Sequence, residues 1–218
     1  MHNHRVNVRL ASVADAGGLL KIYAPYVLET PVTFEEEVPS VTGFAHRIRK
    51  ITQHSPYLIC EVGSRIVGYA YATEFRARSA YRFSRELSVY IDSEFQRNGL
   101  AIALCQTLFQ LLKMQHVRQV ISVITLPNEA SVKLHEKMGF TYCGAIDQVG
   151  LKLGKWYQVG WWQLDLMPER QLEWVSFRKI EKQSQVTDLL TKLSLQLSHE
   201  IIISHRTEAG QRPPIFMK

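Results

Sequence analysis

Between Glu86 and Gln115 the sequence changes its hydrophobic period within a few residues, and this change constrains the fold more than any other feature. From Glu86 to Ile91 apolar and polar residues alternate, with Leu87, Val89 and Ile91 on one face and Glu86, Ser88 and Tyr90 on the other. That is the signature of a strand with one buried face. From Ala101 to Gln115, Leu104, Leu108, Leu111 and Leu112 recur at helical spacing. The two are joined through Gln96-Arg97-Asn98-Gly99-Leu100-Ala101, a polar turn with one glycine. Placed between a strand and a helix, such a turn can aim several free backbone N–H groups and the positive end of the helix dipole at a pyrophosphate. Gly99 lets the backbone come close, and Ala101 keeps the next position small. On its own, a glycine turn before a helix is more often only a turn.

The rest of the chain supplies more of the same elements. Val6 to Leu10 alternates like a half-buried strand, and Ser12 reads as the N-cap of an amphipathic helix carrying Leu19, Leu20, Ile22 and Tyr23, with Pro25 expected to disturb its end. Glu29 to Pro39 is loop-like, and Val41 to Ile51 is a second helix. Tyr57–Val62 and Ile66–Thr73 form a hairpin about Gly63-Ser64-Arg65. Val120 to Thr125 is a β-branched strand, Asn128 caps a short helix ending at Gly139, Phe140 to Cys143 starts a further strand, and Trp156 to Leu166 closes the pattern. Hairpins and crossovers together predict an α/β (α+β) fold, a mixed, mainly antiparallel sheet flanked by helices. Residues 1–166 are expected to form one domain. Residues 167–218 are expected to be an extension of unassigned role, with a helix over Gln183–His199, an apolar patch at Glu200–His205 and a flexible Thr207–Pro214.

Composition narrows the function classes. Hydrophobic residues at 46% and charged residues at 21% are ordinary for a chain that folds around a core. The net charge of +6 comes from basic residues interleaved with Asp and Glu rather than from a stripe, so no nucleic-acid partner is expected, while a polyanionic small ligand fits. Cys60, Cys105 and Cys143 are far apart and odd in number, which predicts reduced, buried thiols and no metal knuckle. The polar start Met1-His2-Asn3-His4-Arg5 has no signal-like apolar run behind it, and no stretch approaches the roughly 18 apolar residues of a membrane helix. A cytoplasmic protein with no membrane partner is expected.

With these elements placed, two blocks carry a resemblance. Gln96 to Ala101 resembles the Q/R-x-x-G-x-G/A pyrophosphate loop of the GNAT acetyltransferase superfamily. Asn128-Glu129-Ala130-Ser131, followed by Leu134-His135 and Gly139-Phe140, is similar to the N-x-x-A…G-F block downstream of it. More narrowly, Val32-Thr33-Phe34-Glu35, Gly68-Tyr69-Ala70, Glu86 to Tyr90, Leu134-His135-Glu136 and Gly160 to Leu166 resemble the phosphinothricin N-acetyltransferase group. The likeness spans about Val6 to Leu166 and implies the GNAT (acyl-CoA N-acyltransferase) fold, acetyl-CoA as co-substrate, no metal, a small-molecule amine as acceptor and a homodimer.

The chemistry assigns roles to the matching positions. An amine attacks a thioester only when neutral, so a base must take its proton. Glu86, on the polar face of the strand, matches the group's catalytic glutamate; the alternative is a strand Glu paired with a neighbouring Arg. His135 stands where many superfamily members have a proton-donating Tyr and could be acid, base, orienter or simply a structural helix-edge His. The resemblance assigns Val89, Tyr90 and Ile91 to the pantetheine arm and to the thioester oxygen, whose developing charge needs preorganised N–H donors. It assigns Arg97, Asn98, Gly99, Leu100, Ala101 and Ile102 to the pyrophosphate, with Asn128 on the other side, where it could equally be an N-cap. For the acceptor, Arg76 and Arg78 are candidates for the acid group, since Arg suits bidentate carboxylate or phosphinate binding, with Phe34 and Tyr81 as walls and Leu87 and Ser88 alongside. Leu87 is bulkier than the residue relatives often carry there and is expected to reshape the acceptor pocket. Three readings follow: an acetyltransferase for amino-acid-like compounds such as phosphinothricin or methionine sulfoximine, one for another small amine or a protein N-terminus, or a non-catalytic acetyl-CoA-binding module.

Overall fold

The computed structural model describes residues 6–167 and 172–207. The expectations for Met1–Arg5 and for the stretch beyond Thr207 concern residues outside those. Seven strands, β1 (Val6–Leu10), β2 (Tyr57–Val62), β3 (Arg65–Glu74), β4 (Ser84–Ile91), β5 (Gln119–Leu126), β6 (Thr141–Lys152) and β7 (Lys155–Asp165), form one sheet in the order β1-β2-β3-β4-β5-β7-β6. All neighbours are antiparallel except β4 and β5, joined in parallel by a crossover through α3 (Leu100–Met114). The mixed, mainly antiparallel sheet expected from the pattern is therefore present.

Helices cover both faces. One face meets α1 (Ala16–Glu29) and α2 (Val41–Thr52), packed on Tyr57, Ile59 and Tyr69. The other face meets α3, whose Leu104, Leu108, Leu111 and Leu112 are fully buried against Leu58, Cys60, Ala70 and Leu87. The Leu-rich stripe read from the sequence is thus the inner side of α3. At the start of α1, the Asp15 carboxylate accepts from the Ser12 backbone N–H (2.7 Å) and from its hydroxyl (3.0 Å), fixing the chain's entry into the helix. Pro25 does not end α1, which runs on to Glu29. Two anchors just past the proline hold that last turn: Val27 is buried, and the Tyr26 hydroxyl donates to the Ile91 carbonyl (2.7 Å).

The segment after β7 shares the second core. Phe177 and Ile180 of α5 (Phe177–Ile180) and Val186, Leu193 and Leu197 of α6 (Ser184–Thr207) are buried. The Val8 N–H on edge strand β1 donates to the Ser194 hydroxyl (2.8 Å), so α6 satisfies a backbone group that β2 does not. Of the cysteines, Cys60 and Cys105 are buried, whereas Cys143 is exposed. The expectation of three buried thiols fails at Cys143 because β6 is the outer strand of the sheet.

Candidate active site

β4 pairs with β3 along most of its length, but with β5 only through Ser84–Glu86 against Gln119–Ile121. Beyond Glu86 the two parallel strands part, and the backbone from Leu87 to Ile91 faces a wedge instead of a β5 ladder. At the far end of the wedge, Asp92 caps a 3-10 turn over Ser93–Phe95, and the chain then visits the left-handed region twice, at Arg97 (φ 65°) and Gly99 (φ 76°), before entering α3. Only at these two positions does the turn need that geometry, and Gly99 adopts it at no steric cost. No side chain caps the N-terminus of α3. Its first-turn N–H groups and the dipole therefore point at a potential anion, the arrangement a pyrophosphate requires. The turn is held from behind: the Gln96 side-chain amide donates to the Tyr26 hydroxyl (3.0 Å), itself fixed on Ile91.

The strand alternation places the predicted residues on opposite faces. Glu86, Ser88 and Tyr90 stand opposite Thr73, Tyr71 and Tyr69 of β3, whereas Leu87 and Ile91 are buried in the α3 core. The expectation that the Leu87 side chain reshapes an acceptor pocket is thus corrected, because its phase along β4 sends it into the core. Val89 and Ile91 pack toward α3 and Tyr90 among the tyrosines, Ile91 buried and the other two half-buried, which leaves the backbone of this stretch along the wedge. Leu100 is also buried, while Ala101 and Ile102 are half-buried in the first turn.

A cluster of tyrosines surrounds the Glu86 face. Tyr57 and Tyr71 stack at 4.6 Å, Tyr69 and Tyr90 lie 5.2 Å apart, and Tyr23 meets Tyr90 edge-on at 5.1 Å. Sequence reasoning passed over this cluster, although Tyr69 and Tyr71 two apart on β3 were its signal. Half-buried beside these rings, the Glu86 carboxyl has its pKa raised, first by burial, with the Arg76 charge pulling the other way. Tyr71 and Tyr90 are raised by burial as well, so they remain neutral donors.

Across the sheet, α4 (Glu129–Lys137) follows Asn128, whose side-chain oxygen accepts from the Ser131 N–H (3.1 Å). The N-cap role is therefore real, and it leaves the side-chain NH2 of Asn128 to other partners. His135 is only 4% exposed. Its Nδ1 lies 2.7 Å from the Ser131 carbonyl, which can only accept, so Nδ1 carries the proton and Nε2 accepts from the Ser122 hydroxyl at 2.8 Å. Burial lowers its pKa, and the ring is a neutral imidazole wedged edge-on against Phe140 at 5.1 Å. Both ring nitrogens are thus occupied by protein groups.

The residues expected to meet the acceptor lie on two loops and the strands beside them. Phe34 packs over Gly150 of β6 so closely that any β-carbon there would collide with its ring, and it faces Tyr157 at 6.5 Å. The Lys152 ammonium donates to the Thr33 carbonyl (2.6 Å) and pins the same loop to the β6–β7 hairpin. The second loop, between β3 and β4, carries exposed Arg76, Arg78 and Tyr81. Arg76 is the charge that Glu86 feels, while Arg78 and Tyr81 border a cleft that Arg85 also lines. Arg85 was not singled out in the sequence. Carrying the β4 alternation one step back puts it in phase with the buried Leu87, a signal that was there to be read.

This wedge between parting parallel strands, ending on an uncapped helix, agrees with what comparison with known proteins finds. Residues 8–161 match the Acetyltransferase (GNAT) domain family. The chain belongs to the GNAT acetyltransferase family, and with it to the acetyl-CoA-dependent N-acetyltransferases. Among its relatives is the phosphinothricin N-acetyltransferase of Streptomyces viridochromogenes, 34% identical over 73% of this chain and 87% of that protein. Another is the L-methionine sulfoximine/L-methionine sulfone acetyltransferase of Pseudomonas paraeruginosa, 31% identical over 75% of this chain and 96% of that protein. The crystal structure of a phosphinothricin acetyltransferase from Sinorhizobium meliloti in complex with AcCoA superposes with a TM-score of 0.73 at 32% identity, covering 78% of this chain and 94% of that one.

Proposed function

We propose that the chain transfers an acetyl group from acetyl-coenzyme A to the amine of a small amino-acid-like acceptor of the phosphinothricin or methionine sulfoximine type, with Glu86 as the base. The observation that carries this reading is the position of Glu86 at the last β4–β5 pair, where the wedge opens, with its carboxyl raised toward the range in which a base works near neutrality. The wedge suits the pantetheine arm along the backbone of Val89, Tyr90 and Ile91. The turn from Arg97 to Ile102 suits the pyrophosphate, with Asn128 reaching the cofactor through its free NH2. The cofactor supplies an activated acyl carbon and a thiolate leaving group.

Glu86 accepts the proton that frees the amine's lone pair, the C–N bond forms as the C–S bond breaks, and the proton passes on to the departing sulfur. Backbone N–H groups beyond Glu86 stabilise the charge on the thioester oxygen. Arg76 and Arg78 hold the acceptor's acid group, with Phe34, Tyr81 and Ser88 as walls. His135, closed off by Ser122 and Ser131, acts as an orienter of the β5–α4 wall. Turnover of phosphinothricin would make the chain a herbicide-resistance factor.

The same reading takes a homodimer as the working form in the cytoplasm. Its support is the outer hairpin, where Tyr142, Ile146 and Leu151 of edge strand β6 and Trp156 of the adjoining β7 are all more than half exposed, an apolar surface of the kind a second copy covers. No helix among the described residues is long and apolar enough to cross a membrane. Residues 1–166 then form the catalytic domain and 167–218 an extension of it.

Free thiol released from acetyl-coenzyme A in the presence of phosphinothricin, methionine sulfoximine and ordinary amino acids tests the proposal. Turnover of an amino-acid-like acceptor that collapses in Glu86→Gln is the expected result. A folded protein that binds the cofactor yet turns over none of these acceptors would remove it.

A further inference from the structure

The arginine that shares β4 with Glu86 points to a second site. Arg85 is 2% exposed and carries a guanidinium that no carboxylate approaches within ion-pair distance among the described residues. Its Nε donates to the Ser55 hydroxyl (3.0 Å) and its Nη1 to the carbonyls of Arg82 (3.1 Å) and Ser84 (2.9 Å), all neutral acceptors. Nη2 has no acceptor among the described residues. The ring of Trp174 lies under the guanidinium at 4.5 Å. Burying a cation this way is costly unless something completes its coordination.

A cleft of about 100 Å³ opens beside this group. Arg76, Arg78 and Arg82 from the β3–β4 loop line it together with Arg85, against the single carboxylate of Glu74, and the segment after β7 contributes Trp174 and Ser176. None of these arginines is in an ion pair with a described residue. We propose that this cleft binds a small oxyanion, a carboxylate or a phosphate, with Arg85 as its central ligand and Arg82 as its second.

Three features argue for this occupant. The guanidinium leaves the two N–H groups of Nη2 for an oxyanion, its plane is held by three hydrogen bonds and an aromatic ring, and the volume admits a small anion but not a nucleotide. Burial lowers the Arg85 pKa only to about 10, so the group is charged at neutral pH and the site attracts anions throughout the physiological range. An acid seated on Arg85 lies on the α3 face of β4, away from Glu86, so it is not the acceptor undergoing acetylation. Trp174 and Ser176 lie beyond the residues that match the GNAT family, so this chain's extension supplies part of the cleft wall. Arg76, Arg78 and Tyr81 line this cleft and also serve the acceptor in the reading above, so competition with an acceptor analogue separates the two sites.

Titration calorimetry of the full chain at constant ionic strength tests it, with inorganic phosphate and malonate as separate probes and chloride as the control. Saturable binding of at least one probe is expected, persisting under saturating coenzyme A and methionine sulfone, and weakened roughly tenfold or more in both Arg82→Gln and Arg85→Gln. Phosphate alone or malonate alone would tell which oxyanion chemistry the cleft takes. Arg82 is exposed, so its variant decides the matter if Arg85→Gln loses native circular dichroism. Three results overturn the proposal: no saturable binding of either probe, binding unchanged in a folded variant, or displacement by methionine sulfone, which would make the cleft part of the acceptor subsite.

Discussion

Arg85 and Glu86 are neighbours on one strand, both withdrawn from water and neither in an ion pair with a described residue, yet burial has opposite consequences for them. Glu86 faces tyrosines and the mouth of the wedge, and losing solvent moves its carboxyl up from the ordinary 4.5, toward the range where it can both take and give a proton. Arg85 faces the α3 side, and losing more solvent still leaves it charged at neutrality. The same desolvation therefore makes a titrating group on one face of the strand and a permanent cation on the other. Period-two alternation alone separates them, and a one-residue slip of β4 would exchange their environments.

The largest effect that tests this contrast is on turnover. Glu86→Gln keeps the shape but cannot accept a proton, and kcat with the best acceptor is expected to fall by ~10²–10⁴, the usual contribution of a positioned base. Arg85→Gln in the same assay is expected to leave kcat within a few-fold, and an equal collapse of both would break the division of labour between the two faces.

Ser122→Ala is the next largest. It strips the partner from a buried His135 nitrogen, which costs about 1–3 kcal/mol in denaturant unfolding. If His135 is an orienter, stability falls more than kcat does; a kcat loss matching that of Glu86→Gln would instead return His135 to proton transfer.

Gly99→Ala forces a side chain into the left-handed region at a cost of ~1 kcal/mol. A raised KM for acetyl-coenzyme A with an unchanged KM for the acceptor is expected from steady-state kinetics.

The smallest effect is on stability against pH. The folded state holds the Glu86 proton more tightly than the unfolded state, so stability falls as pH rises from 4.5 through the raised folded value. Glu86→Gln removes that loss, and its Tm at neutral pH is expected to exceed that of the parent. A lower Tm would mean that the carboxylate is stabilised where it lies.

The sequence disclosed the parts of the site where one local rule dominates. The strand, glycine-containing turn and Leu-striped helix from Glu86 to Gln115 follow from periodicity and a glycine, and they are where the alternation and the Leu104 to Leu112 spacing put them. Harder to read were the places where two rules compete. β6 runs to Lys152, well past the Phe140–Cys143 start, because register shifts beside Gly144 and Gly150 break its alternation. Pro25 sits inside α1 because tertiary anchors at Tyr26 and Val27 outweigh the hydrogen bond it removes. Arg85 escaped notice because a charged residue reads as exposed until the strand phase is carried through it. His135 illustrates the limit from the other side: its position was legible, but that both nitrogens are taken depends on Ser122, a residue of β5 brought to it only by the fold.

The dependence of kcat on pH with a saturating amino-acid-like acceptor, for the parent and for Glu86→Gln, tests the central claim most directly. The account predicts an acidic limb in the parent that lies above the ordinary carboxylate value and is absent from the residual activity of the variant. An identical limb in both proteins would contradict it, because the base would then be some other group.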